Sequence, residues 1–222
     1  YREKWLKKHI VDLAKLRVNY LYLYLEWDYA FPSLPPLSGK EMMTPEDARE
    51  IVAFAKGYNI KIVPACNVLG HTSDFLAVQY LNDCKENMDG ETNAKVSTAR
   101  ALCPNNPRAN AIVFRALDDL IDAFQPEIIH IGGDEVEHIG GDKYCRAEAE
   151  RLGRTGVLLS YFVKIRDYLQ SRGVITGIWG DKLLSLSEEN RYDGEKCEEK
   201  YLPKNLELLD DLRHGTIVYD WW

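Results

Sequence analysis

Basic residues are the minority charge in this sequence, with 28 Lys and Arg against 35 Asp and Glu and a formal net charge of −7. A phosphate backbone or an anionic bilayer is repelled on average, so neither nucleic acid nor a membrane is an expected partner. No apolar run approaches the roughly 20 residues of a membrane span. No apolar signal-peptide core follows Tyr1. Because the chain opens on Tyr1 rather than Met, directly in a helical pattern, a lost leader or N-terminal segment is expected. Cysteine is sparse: Cys66, Cys84, Cys103, Cys145 and Cys197 are odd in number and dispersed, and no CxxC pair occurs. Neither a disulfide framework nor a zinc ribbon is suggested. Asn-x-Ser/Thr sequons are also absent, and with the cysteine usage this favours a reducing, cytoplasmic compartment. There is no GxGxxG, GxxxxGK[ST] or HExxH, which removes the usual sequence support for a nucleotide fold or a helical zinc site.

What is present is a globular composition, 45% hydrophobic and 28% charged over 222 residues, enough to bury a sizeable core. Five short apolar runs recur: Val18–Glu26, Ile60–Asn67, Glu127–Gly132, Val174–Trp179 and Thr216–Trp221. Their β-branched character suits parallel strands covered on both faces. Helical patterns separate them. Thr44-Pro45-Glu46-Asp47 carries a cap, a first-turn proline and a carboxylate, and Gly57 supplies the stop. Asn106-Pro107 opens another helix, which Gln125-Pro126 ends. Further helices are expected over Glu3–Arg17, from about Val157 to Gln170, and from about Pro203 to Leu212.

Strand and helix in alternation mean a parallel α/β architecture with right-handed crossovers. A doubly wound sheet and a (β/α)8 TIM barrel are the candidates, and the missing phosphate loops favour the barrel. Five strands with a helix first fit an interior portion of a barrel, about strands 2–6, so residues 1–222 are expected to form a single partial barrel domain. Segments after strand ends, His71–Asn106 and Asp181–Leu202, are long and polar, whereas helix-to-strand links are short. Barrel enzymes keep their chemistry at the carboxyl ends of strands.

At one such end stands His130-Ile131-Gly132-Gly133-Asp134-Glu135. Two glycines permit a sharp turn or a close backbone approach, and two adjacent carboxylates follow. Burying neighbouring carboxylates drives their proton affinities apart, as acid/base work requires. His130 reads best as a core histidine.

His-x-Gly-Gly-Asp-Glu at a barrel strand resembles the signature of family 20 glycoside hydrolases, the β-N-acetylhexosaminidases. Val63-Pro64-Ala65-Cys66-Asn67-Val68-Leu69-Gly70-His71 is similar to that family's third-strand segment, and Asn19–Asp28 matches its second strand in pattern. Glu26-Trp27-Asp28-Tyr29-Ala30-Phe31-Pro32 resembles more closely the hexosaminidase D branch. The likeness extends from the first helix to Trp222. It implies a retaining, substrate-assisted hydrolysis of terminal β-linked N-acetylhexosamine in which the substrate's acetamido oxygen is the nucleophile. Glu135 is then the general acid/base, Asp134 orients the acetamido N–H, and His71 supports Glu135, with Asp28 behind it. Trp179, Asp181, Trp221 and Trp222 are candidates for binding the sugar, since indole packs on pyranose faces; of the tryptophan pair, strand alternation lets one line the pocket. No metal and no cofactor are implied, and the partner is an N-acetylhexosamine-containing glycan or glycoconjugate. Ala65, Asn67 and Leu69 depart from the Glu, Asp and Pro typical of the family. The family's first-strand Arg and the acidic and Tyr residues of its last strands have no counterpart here.

Two other readings stay open. Asp134, Glu135, Glu137, His138 and Cys145 offer ligand types for a metal enzyme, although Gly140-Gly141 interrupts them. A non-catalytic carbohydrate-binding or scaffold protein on the same barrel would bind sugar without turnover.

Overall fold

The computed structural model describes residues 3–35, 42–72, 76, 79–86, 101–136, 139–186 and 197–220. Among the described residues five α-helices and five β-strands alternate: α1 Glu3–Lys15, β1 Tyr20–Tyr24, α2 Pro45–Lys56, β2 Lys61–Ala65, α3 Pro107–Phe124, β3 Ile128–His130, α4 Arg146–Gln170, β4 Ile175–Trp179, α5 Leu202–Leu212 and β5 Thr216–Tyr219. The local chemistry places the boundaries. Thr44 Oγ1 accepts from Asp47 N at 3.1 Å while Asp47 Oδ2 accepts from Thr44 N at 2.8 Å, a reciprocal cap at the start of α2. Asn106 Oδ1 accepts from Arg108 N at 2.9 Å at the start of α3, and Gln125 ends that helix in the left-handed region. Helix α4 departs from expectation: it begins eleven residues before Val157. Cys145 caps it without a side-chain hydrogen bond, and Gly153, at φ 71°, interrupts it. No recognisable cap pattern therefore announced its first turns.

The five strands are all parallel and lie in the order β1-β2-β3-β4-β5. A doubly wound sheet reverses its order at a switch point; this one does not. It is also curled. Tyr22 of β1 and Tyr219 of β5, on the two outermost strands, meet with ring centroids 5.0 Å apart and joined hydroxyls. The architecture is thus an arc of a barrel, with the described strands corresponding to the five expected runs.

Register assigns the two faces, because parallel partners project the same way. Tyr22, Tyr24, Ala65, His130, Gly177, Trp179 and Tyr219 share the concave face. Ile62, Ile129 and Ile178 share the convex face and are buried beneath the helices. Ile129, Val113, Leu159, Phe162 and Ile165 are fully buried in one continuous core. At about 25 cal/mol per Å² of apolar surface, each such side chain contributes roughly 1.5–3 kcal/mol. No helix among the described residues is long and apolar enough to cross a membrane.

Candidate active site

The carboxyl ends of β1, β2 and β3 share an unusual backbone feature. Glu26, His71 and Glu135 have φ of 47°, 49° and 47°, in the left-handed region that side chains other than Gly, Asn and Asp seldom enter. Such strain persists where surrounding structure enforces it, and it gathers at working sites. Between β3 and Glu135, Gly132 and Gly133 turn the chain with φ of 74° and 98°. A Cβ on Gly132 would stand 1.8 Å from Asn67 Oδ1, and one on Gly133 would stand 2.6 Å from Phe162 Cζ. Only glycine fits either place.

This turn delivers the carboxylates. His71 Nε2 lies 3.3 Å from Asp134 Oδ2 and 3.4 Å from Glu135 Oε2, so one imidazole nitrogen serves both acids. The Asp134 side chain is 19% exposed and that of Glu135 56%. Burial pushes Asp134 above the usual aspartate range, and the neighbouring His71 opposes the rise. Asp134 Oδ1 is buried and unpaired among the described residues. Glu135 N donates to Asp181 Oδ2 at 3.0 Å, which fixes the strained Glu135 backbone. Asp181, expected to touch substrate, therefore spends one oxygen positioning Glu135, while its buried Oδ1 is unpaired among the described residues.

Aromatic rings line the concave face beneath the carboxylates. Trp179 lies over His130 at 4.5 Å between centroids, His130 contacts Tyr219 at 5.1 Å, and Tyr22 stands edge-on to His130 at 6.0 Å. His130 is a core residue, as its sequence context indicated. Its Nδ1 accepts from Gly132 N at 3.1 Å, and burial lowers its pKa to about 4, so the ring is neutral. Asn67 Nδ2 donates to the Tyr24 hydroxyl, whose pKa is raised by burial first and by the charge of Asp134 among lesser causes. Tyr22, Tyr24 and Tyr219 were not singled out in the sequence. The alternation Tyr20-Leu21-Tyr22-Leu23-Tyr24, with period two, was the available signal.

Of the remaining candidates, Asp28 is exposed, and among the described residues its carboxylate makes no hydrogen bond or ion pair with His71. Trp221 and Trp222 lie outside the described residues, as do Glu137 and His138 of the metal reading. Cys145 does not join Asp134 and Glu135. Its sulfur stands with Cys103 and Glu86, the group among the described residues whose ligand atoms lie close enough to share an ion.

Comparison with known proteins extends the geometry. The model of "Glycosyl hydrolase family 20, catalytic domain" matches residues 2–200. The beta-hexosaminidase of Akkermansia muciniphila is 24% identical over 200 residues, covering 78% of this chain and 40% of that protein. Beta-hexosaminidase subunit beta of Homo sapiens is 23% identical over 233 residues, covering 97% of this chain and 34% of that one. The chain thus spans two-fifths or less of these relatives' lengths. Among solved structures, beta-N-acetylhexosaminidase from Bacteroides fragilis superposes with a TM-score of 0.69 at 18% identity, over 98% of this chain and 46% of that one. GH20 exo beta-N-acetylglucosaminidase from Vibrio harveyi, in complex with N-acetylglucosamine, does so with a TM-score of 0.69 at 20% identity, over 100% of this chain and 36% of that one. The described arc is accordingly a portion of a TIM barrel, and the match over residues 2–200 makes the chain a member of glycosyl hydrolase family 20, within that family's catalytic domain.

Proposed function

We propose that residues 1–222 form one partial barrel domain of an exo-acting glycoside hydrolase that removes terminal, non-reducing β-linked N-acetylhexosamine with retention. The observation that carries this reading is the single imidazole facing two carboxylates at the end of β3. Glu135, the more exposed of the two, protonates the leaving oxygen and then activates water. Asp134 holds the acetamido N–H; its unpaired, buried Oδ1 is an acceptor suited to one donor. The two acids come from one strand end rather than from opposite walls of a cleft, which suits a reaction whose nucleophile is the substrate's own acetamido oxygen. His71 supports both, and Trp179 offers an indole face to the pyranose. The substrate class is an N-acetylhexosamine-terminated glycan or glycoconjugate, a reading supported by the similarity to beta-hexosaminidases.

The test is release of a chromogenic aglycone from β-N-acetylglucosaminide and β-N-acetylgalactosaminide by the protein at its full natural length. Glu135→Gln and Asp134→Asn are each expected to lower kcat/KM by about 10²–10⁴-fold. Sugar binding without turnover on either aglycone, by folded protein, would replace hydrolysis with a carbohydrate-binding role.

A further inference from the structure

Away from the carboxylates, three buried groups converge from segments distant in sequence. Glu86 is 3% exposed, and Cys103 and Cys145 are both at 0%. Cys103 and Cys145 are 42 residues apart, and Glu86 and Cys145 are 59 residues apart. Their sulfurs lie 3.4 Å from each other, and Cys145 Sγ lies 3.4 Å from Glu86 Oε2. One ligand atom from each residue falls within 4.8 Å of the others. No CxxC spacing betrays the cluster, because its members belong to the segments that follow β2 and β3.

The surroundings favour a cation. Glu86 Oε1 accepts from Gly141 N and Asp142 N, each at 2.9 Å, which orients the carboxylate and turns Oε2 to the sulfurs. Among the described residues no Lys, Arg or His pairs with Glu86, although a buried carboxylate is costly without a counter-charge. A tetrahedral ion with Zn–S near 2.3 Å and Zn–O near 2.0–2.2 Å requires S···S and S···O edges of about 3.8 and 3.5 Å. Two of the three edges, Cys103 Sγ to Cys145 Sγ and Cys145 Sγ to Glu86 Oε2, both 3.4 Å, come within about 0.4 Å of these values, and the third lies within 4.8 Å. A disulfide would need the sulfurs at about 2.05 Å and would leave Glu86 uncompensated. Lys164 stands beside the group, its Nζ donating to Pro104 O at 3.0 Å and Asn105 Oδ1 at 3.2 Å.

We propose that Glu86, Cys103 and Cys145 form a buried structural site for a zinc ion, which clasps the segment after β2 to the segment after β3. These residues supply three of the four ligands that a tetrahedral zinc takes. Binding displaces the two thiol protons, so affinity falls as the pH is lowered. The site lies outside the sugar-binding chemistry and does not depend on it. Its role is to fix the two segments that carry His71 and the Asp134–Glu135 pair.

Metal content by mass spectrometry of the full-length protein is expected to show about one zinc per chain. Cobalt(II) added after zinc removal is expected to give thiolate-to-cobalt charge transfer and the intense visible bands of a tetrahedral ion. Cys103→Ser and Cys145→Ser should each abolish those bands. Cys66→Ser, at a buried cysteine outside the cluster, should leave them unchanged. Zinc removal should lower Tm in the wild type. Three results would overturn the site: wild type with neither zinc nor cobalt bands, an intact mass short by two hydrogens with Cys103 and Cys145 joined, or full zinc content in both Ser variants. The cobalt spectrum of the wild type decides the matter even if a Ser variant fails to fold.

Discussion

One imidazole nitrogen within 3.4 Å of two carboxylate oxygens ties the chemistry of three residues together. Burial raises Asp134 and the His71 charge restrains it, so replacing His71 lets Asp134 hold its proton to higher pH. His71→Asn is expected to move the acidic limb of kcat/KM upward in pH and to lower the plateau by less than Glu135→Gln does; an unmoved limb would separate His71 from Asp134. Burial of the Asp134 charge also bears on stability. The unfolded chain ionises near 3.8 while the folded chain holds the proton longer, so stability falls as the pH rises through 3.8 to the raised value and stays lower at neutral pH. Asp134→Asn should therefore unfold at higher temperature than wild type at pH 7, by about 2–4 °C for each ~1 kcal/mol relieved. The difference should close below pH 3.8. A variant more stable yet inactive is the usual signature of strain kept for function. Equal melting temperatures at both pH values would count against it.

Elements show what the residues alone could announce. Thr44 and Asn106 capped their helices as read, because cap chemistry is local. The five strands lay where the apolar runs stood, and the Gly-Gly turn delivered Asp134 and Glu135 to His71. Two features were illegible for a shared reason. The aromatic lining by Tyr22 and Tyr219 depends on how far the sheet curls, and Asp181 reaches the Glu135 backbone 46 residues away. The period-two tyrosines mark one face of β1, but neither the curvature that brings Tyr22 to Tyr219 nor so distant a pairing as Asp181 with Glu135 leaves a local pattern. Asp28 illustrates the converse, since resemblance put it behind His71 and the fold leaves it exposed. The turn itself can be tested. Gly133→Ala adds a methyl 2.6 Å from Phe162 Cζ at φ 98°, where L residues are strained. It should cost about 1–3 kcal/mol in urea unfolding, with activity falling further as Asp134 and Glu135 leave His71. Phe162→Leu in the same chain should recover part of the stability, because only the contact is relieved and not the backbone strain. Unchanged unfolding in Gly133→Ala would show that the turn tolerates a side chain.

At the scale of the whole molecule, the concave face couples the site to global stability through His130. Its ring is held neutral inside the barrel arc, between Tyr22, Trp179 and Tyr219, with a pKa near 4 against an ordinary 6.5. Acid therefore favours the unfolded chain, which takes up the proton first. Stability from this group is intact above pH 6.5, declines as the pH falls towards 4, and is lost in full below it. That interval corresponds to roughly 3 kcal/mol. The paired surface carboxylates Asp12, Glu50, Asp83 and Glu127 have pKa values lowered by their partners, so their contribution is lost at still lower pH. Asp134 acts with the opposite sign, its protonation favouring the fold. Urea midpoints at pH 7, 6 and 5 should thus fall steeply for wild type and more gently for His130→Gln. The Gln amide oxygen can take over the Gly132 N–H while offering no proton site. The difference between the two slopes isolates the histidine from every other titrating group. Parallel slopes would mean that the ring is protonated in the folded barrel, which its aromatic enclosure and its acceptor role towards Gly132 N argue against.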